Sequence, residues 1–206
     1  MTHYIIITIA FLCLCFASVK AQVADTLNLL EDTEEPIQLL PESMMLAQKA
    51  LYGEKGLLRV TGIAPLTSEG RAKELEVRRT MLVAHQVVGY GTLATTTATG
   101  VIGQMLYSGE TIRDTHRMLA GITNLGYGIT AILSVTTPPP LTSKRGEKWD
   151  TIDWHKTLSL VHFAGMITTN VLSRKAREGG VWKQAHRISG VVTGVAFTAG
   201  VVVIMF

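Results

Sequence analysis

The stretch HQVVGYGTLATTTATGVIGQMLY, residues 85–107, begins with a histidine and then runs to its end without a charged side chain. A helix of about 20 predominantly apolar residues is long enough to cross a bilayer. Three later apolar stretches also have a histidine near their start, so the expected spans are Met81–Tyr107, His116–Thr136, Trp154–Leu172 and His186–Phe206. The sequence therefore predicts an all-α membrane protein, a four-transmembrane-helix antiparallel bundle.

The composition agrees with this fold class. The chain is 47% hydrophobic and only 17% charged, whereas soluble domains carry about 25% charged residues. The net charge of +3 does not indicate nucleic-acid binding, because the basic residues stand in short clusters beside apolar stretches. Membrane topology and anionic lipid explain such clusters, and no nucleic-acid-binding motif accompanies them. The predicted partner is the lipid bilayer.

The N-terminus resembles a secretory signal. A short apolar stretch, Ile5–Ser18, is followed by Val19-Lys20-Ala21, which predicts a signal peptide over residues 1–21. An uncleaved anchor remains the alternative, because no Lys or Arg precedes the apolar stretch. Cleavage would remove both Cys13 and Cys15, which excludes disulfides, iron–sulfur clusters and covalently attached haem. It would also place the following region outside the cytoplasm.

Residues 22–79 form a predicted extramembrane N-terminal region. Residues 22–41 are polar and acidic, which is typical of a flexible tether. A short helix is expected over Glu42–Tyr52, ended by Gly53, and a loop rich in glycine and proline follows. A second, charged helix is expected to begin at Thr67-Ser68-Glu69 and to run into the first span. The region is too small for an independent core, so we expect it to pack on the transmembrane domain, residues 80–206.

The four histidines are evenly spaced. His116 follows His85 by 31 residues, and His186 follows His155 by 31 residues. Because successive spans alternate in direction, His85 and His155 are expected near one membrane face and His116 and His186 near the other. Two imidazoles fill both axial positions of a haem iron, so such a haem carries electrons and does not bind oxygen. The pattern predicts two non-covalently bound b-type haems. The simpler alternative is that each histidine lies in the polar interface.

The residues around each histidine fit a haem site. The residue four positions later, on the same helix face, is always small, which leaves room for a flat ring: Gly89, Ala120, Ser159 and Gly190. The next residue is polar or cationic and suits a haem propionate, although flanking charges of spans look alike: Gln86, Arg117, Lys156 and Arg187.

His162 is a second candidate on the third span. It lies seven residues after His155, deeper in the apolar stretch, where polar side chains usually have a function. However, it breaks the spacing of 31, and the residue four positions later is Met166. We therefore predict His155 as the iron ligand, with His162 lining the pocket or replacing it.

Three motifs resemble those of the cytochrome b561 family: HQVVG at 85–89, HRMLAG at 116–121 and AHRISG at 185–190. The resemblance covers about residues 80–206. It implies four antiparallel helices, each with one haem-ligating histidine. It also implies one haem between His85 and His155, and another between His116 and His186. The implied activity is transmembrane electron transfer, often from ascorbate or another small reductant to ferric iron, a radical or a partner protein. Many members have five or six spans, and none of the family's features matches residues 22–79.

Three functions compete on the sequence alone. The first is a diheme electron carrier or transmembrane reductase that exchanges electrons with a small reductant, a quinone or a redox protein. The second is a membrane anchor subunit with one haem or none, which serves a larger redox complex and exchanges electrons with quinone. The third is a histidine-lined metal or proton carrier, but the first and last spans contain no acidic residue. A homodimer is compatible with each of these functions.

Overall fold

The structure is a computed structural model that describes residues 38–142 and 149–205. The predicted signal peptide and most of the predicted tether lie outside these residues. All regular elements within them are helical, as the sequence predicts. They are α1 Leu46–Tyr52, α2 Leu57–Val60, α3 Ser68–Tyr107, α4 Arg113–Thr136, α5 Thr151–Lys175, a 3₁₀ turn Ala176–Glu178, and α6 Gly180–Met205.

The helix starts follow from local capping. The Thr67 hydroxyl accepts a hydrogen bond from the Gly70 amide at 3.1 Å, which satisfies an amide of the first turn of α3. The expected continuation is confirmed, because α3 runs for 40 residues without interruption. The prediction for α1 was too long at its start. This helix begins at Leu46, where the Gln48 side chain accepts from the Met45 amide at 3.4 Å. The expected loop contains the short helix α2.

Two helices, α4 and α6, are long and apolar enough to cross a membrane, and most of their residues are exposed. A core helix of a soluble protein would instead be largely buried. The sequence analysis predicted four spans. Helices α3 and α5 are long enough, but their apolar segments are diluted by threonine and glycine in α3 and by polar and charged residues in α5.

The described part of the chain forms two compact units. The first unit comprises residues 38–90 and 127–142, and the second comprises residues 91–126 and 149–205. Helices α3 and α4 each contribute residues to both.

In the first unit, the N-terminal region packs on the segment that follows α4. Thr137, Pro138 and Pro139 are almost completely buried there. The backbone carbonyls of residues 136–140 all accept hydrogen bonds from side chains of this region: Gln48, Tyr52, Arg71 and Arg78. The predicted packing partner of this region is thus, at least in part, the end of α4.

The same unit buries a charge cluster. Glu74 lies between Arg59 and Arg71 and bonds to both, and the exposed fractions of the three side chains are 7%, 5% and 1% respectively. Two buried cations around one carboxylate depend on that carboxylate for compensation, because an unpaired buried charge is strongly unfavourable.

In the second unit, α5 and α6 pack through small residues. A Cβ added to Gly165 would lie 2.3 Å from the Thr193 hydroxyl, so a larger side chain does not fit. The Thr169 and Ser189 hydroxyls, one on each helix, are 2.7 Å apart. Small residues and interhelical hydroxyl contacts are typical of helix pairs in membranes.

We expect Glu74→Gln to destabilise the protein strongly, because it leaves two buried guanidinium groups without a counter-charge. Removing one member of a buried ion pair costs about 3–5 kcal/mol. The measurement is thermal unfolding of the full chain in detergent. The matched control is Glu69→Gln on the same helix, because the Glu69–Lys73 pair is 80% and 73% exposed. Equal melting temperatures for the two variants would contradict the prediction.

Candidate functional site

Three of the four predicted ligand histidines contact a backbone carbonyl through Nδ1. The Nδ1–oxygen distances are 3.0 Å from His85 to Thr130, 2.9 Å from His155 to Gly200, and 3.0 Å from His186 to Thr169. In each case the carbonyl belongs to a different helix from the histidine. Each ring is half-buried.

These contacts fix the tautomer of the neutral imidazole. A carbonyl oxygen only accepts hydrogen bonds, so Nδ1 must carry the proton and Nε2 then carries the lone pair. Histidines that ligate metals usually donate their other ring N–H to a carbonyl or carboxylate, which orients the ring. His85, His155 and His186 are therefore held in the form that ligates a metal through Nε2.

His116 and His186 lie together in the second unit. Their ring centroids are 6.3 Å apart and the rings are perpendicular, with an interplanar angle of 87°. A metal ion held by two imidazole nitrogens at about 2.0–2.1 Å each would place the ring centroids slightly more than 6 Å apart. The rings can take any angle around the common nitrogen–metal–nitrogen axis, so a perpendicular pair fits. The spacing also falls in the range of direct edge-to-face ring contacts.

The His116 ring lies against Gly103 of α3. A Cβ at this position would lie 2.9 Å from His116 Cε1 and 3.2 Å from Nδ1, so only glycine leaves the ring its place. Nδ1 is buried and makes no hydrogen bond of normal geometry, and the Thr99 backbone is the group that lies beside it. His116 is thus positioned by close packing.

The contacts around the histidines recur with an offset of 70 residues. The pairs His85–Thr130 and His155–Gly200 are both separated by 45 residues. His186 lies 17 residues after Thr169, its acceptor, and His116 lies equally far after Thr99. The hydroxyls of Thr99 and Thr123 are 3.0 Å apart, and their counterparts Thr169 and Thr193 are 3.4 Å apart. The chain therefore contains two copies of one two-helix arrangement, of which the spacing of 31 was a partial sign.

The predicted pair of His85 and His155 falls in different units, and the structure describes each in its own. Both occupy the same place in the repeat, with the same kind of Nδ1 contact. His162 instead packs on Phe197, with ring centroids 4.9 Å apart, and only 8% of it is exposed. The counterpart of His162 in the first copy is Thr92. These positions favour His155 as the ligand, with His162 in the packing beside it.

The three predicted cationic partners differ in their surroundings. Arg187 donates to the Gln104 side chain at 2.8 Å and lies over the Tyr107 ring. Arg117 and Lys156 are 66% and 60% exposed, and each stands beside an aspartate one turn earlier. Of the three, Arg187 alone is held in place by neighbouring side chains in the described residues.

The small residues at Gly89 and Gly190 have a packing reason. A Cβ at either position would lie 3.7 Å from a threonine methyl group, Thr130 for Gly89 and Thr169 for Gly190. These are the threonines whose carbonyls hold His85 and His186. Small residues here let the helix that carries the acceptor approach the helix that carries the histidine.

Several residues of the site were not found from the sequence. The backbone acceptors at Thr130, Thr169 and Gly200 give no side-chain signal. Gly103 is one of many glycines in α3. An offset comparison of the chain with itself would have found Thr99 with Thr169, since both are threonines 17 residues before a histidine.

Comparisons with known proteins returned no family model, no curated protein and no solved structure that matches this chain. Among the described residues, no three His, Cys, Asp or Glu side chains cluster as a metal site. A haem iron needs two protein ligands, so the paired histidines are not tested by that criterion.

We expect His85, His155 and His186 to be protonated on Nδ1 when neutral, because each faces a carbonyl oxygen. The measurement is ¹⁵N NMR of the haem-free full chain with labelled histidine, and single His→Gln variants assign the signals. A protonated Nε2 at any of the three positions, with a bare Nδ1, would contradict the geometry described above.

Proposed function

We propose that this chain is a transmembrane electron carrier that holds b-type haem between paired histidines of a four-helix bundle. The observation that carries the proposal is the His116–His186 pair. Its ring spacing of 6.3 Å suits two axial ligands, and the Nδ1 contact of His186 leaves the lone pair on Nε2.

Exposed apolar faces on the two less hydrophobic helices support four spans. In α5, apolar side chains repeat every three or four residues along one exposed face: Leu160, Phe163, Ile167 and Val171. In α3, exposed apolar residues include Leu82, Val87, Val101 and Met105. Contiguous apolar surface of this kind marks contact with lipid or another apolar partner. With 25 residues, α5 is about 37 Å long at 1.5 Å per residue, enough to cross a bilayer.

The residues around the pair fit a haem. His116 and His186 would supply the two axial nitrogens, and Gly103 leaves the His116 ring in place. Arg187, held by Gln104 and Tyr107, is a cationic partner for a propionate. The group, when bound, supplies a one-electron couple. The protein keeps both imidazoles neutral and oriented, and with both axial positions filled no site is left for oxygen.

The second haem, between His85 and His155, stays a prediction from the sequence. What supports it is that both residues have the ligating tautomer and equivalent places in the repeat. An anchor subunit that binds one haem and exchanges electrons with quinone is the second candidate function. It is favoured to the extent that the His116–His186 pair alone meets its needs.

The absorption spectrum of the purified full chain, with a haem count, tests the proposal. Two b-type haems per chain are expected, and one haem would favour the anchor subunit. A colourless protein from cells supplied with iron and porphyrin would overturn both. His155→Ala is expected to lose one haem, whereas His162→Ala retains both because His162 packs on Phe197. Haem loss confined to His162→Ala would reverse the assignment of the ligand.

Gly103→Ala should remove the haem at the His116–His186 pair, because the added methyl group would occupy the place of the His116 ring. The matched control is Gly100→Ala, one turn earlier on α3, where an added Cβ meets no atom within 4 Å. The measurement is haem per chain at equal protein recovery. Full haem content in Gly103→Ala would show that this close contact does not position the ligand.

A further inference from the structure

The segment that ends α4 presents carbonyl groups with no backbone partner of their own. The last carbonyls of a helix lack the amides of a following turn. Here the next residues are Pro138, Pro139 and Pro140, which have no N–H and cannot continue the helix. The carbonyls of residues 136–140 therefore need donors from elsewhere, since they lie in a largely buried segment.

Four side chains of the N-terminal region supply these donors, and we call them the carbonyl clamp. Tyr52 donates to the carbonyl of residue 136 at 3.2 Å and Gln48 to that of 137 at 3.0 Å. Arg78 donates to that of 138 at 2.6 Å, and Arg71 to those of 139 and 140 at 3.1 and 3.2 Å.

The clamp suits a helix C-terminus chemically. Cationic donors near the last carbonyls of a helix are favourable, because the helix dipole is negative at that end, and hydrogen bonds from charged donors are the stronger ones. Arg71 is 1% exposed, so its charge is balanced inside the protein by Glu74 and by these carbonyls. Burial raises the pKa of Tyr52, and so does the neighbouring Glu74. The phenol therefore keeps its proton and remains a donor.

Arg71, Arg78 and His85 stand at seven-residue intervals on α3. Residues seven apart lie nearly on one face of a helix, two turns from each other. All three donate to backbone carbonyls on α4 or directly after it. The two arginines thus fix the register and rotation of α3 against α4 at the point where His85 meets the Thr130 carbonyl.

We propose that the carbonyl clamp is a positioning device for His85, and that this is a role of the N-terminal region. The clamp residues hold the end of α4, and α4 carries the Thr130 carbonyl that orients the His85 ring. The proposal rests on the proposed function, in which His85 ligates a haem iron. Gln48, Tyr52, Arg71 and Arg78 are positioning residues that act through Thr130.

Loosening the clamp should change the electronic character of the His85 ligand. A hydrogen bond from Nδ1–H to a carbonyl makes the imidazole a stronger base, and a stronger base stabilises ferric over ferrous iron. Weakening that bond therefore raises the potential of one haem. The His116–His186 haem should keep its potential, because none of its described contacts involves the clamp.

The test is Arg71→Ala in the full-length holoprotein, with two measurements. Hydrogen exchange of the amides in residues 130–136 is expected to become about tenfold faster, since the helix end loses its cationic donor. Redox titration is expected to show an upward shift of one midpoint, about 59 mV if the relative affinity for ferric and ferrous haem changes tenfold. The matched control is Lys73→Ala, which removes a cation from an exposed ion pair on the same helix and should change neither reading.

Tyr52→Phe covers the case in which Arg71→Ala fails to fold, because it removes one donor and keeps the ring. It should shift the same midpoint in the same direction by a smaller amount. Faster exchange with both potentials unchanged would overturn the positioning role, and unchanged exchange would overturn the clamp itself. If the wild-type chain binds no haem, the proposed function fails, and the exchange measurement still decides whether the clamp holds α4.

Discussion

The hydrogen bond from a histidine Nδ1 to a main-chain carbonyl is the interaction on which the site depends. Because the acceptor has no proton to give, it decides which ring nitrogen is protonated without any charged neighbour. His85, His155 and His186 share this arrangement. Orientation and protonation state are thus set together by helix packing, before any metal is considered.

The close helix packing behind these bonds is achieved differently in the two units. The second unit brings helices together through glycine and hydroxyl side chains, as where Gly165 faces Thr193. The first unit uses side-chain donors, with arginines that reach the carbonyls after α4. Small residues allow close approach but do not fix a register, whereas a fork of donors on successive carbonyls does. This contrast explains why a buried charge cluster around Glu74 accompanies the first unit.

Features carried by side-chain type and spacing could be predicted from the sequence. The continuous helix from Ser68, the placement of the histidines and the preference for His155 over His162 all agree with the structure. Features carried by the backbone could not be predicted. The acceptors at Thr130 and Gly200 act through their carbonyl groups, and Gly103 acts by lacking a side chain. The start of α1 was missed because a long polar side chain, Gln48, caps the helix one turn later than expected.

The two equivalent acceptor positions are occupied by a threonine and a glycine, although they perform the same task. Since the task belongs to the peptide group, evolution or a protein engineer could vary the side chain at either position without removing the acceptor. The two halves of the molecule can therefore diverge in polarity and bulk around equivalent ligands. Such divergence would give an electron a downhill direction between two otherwise matched stations.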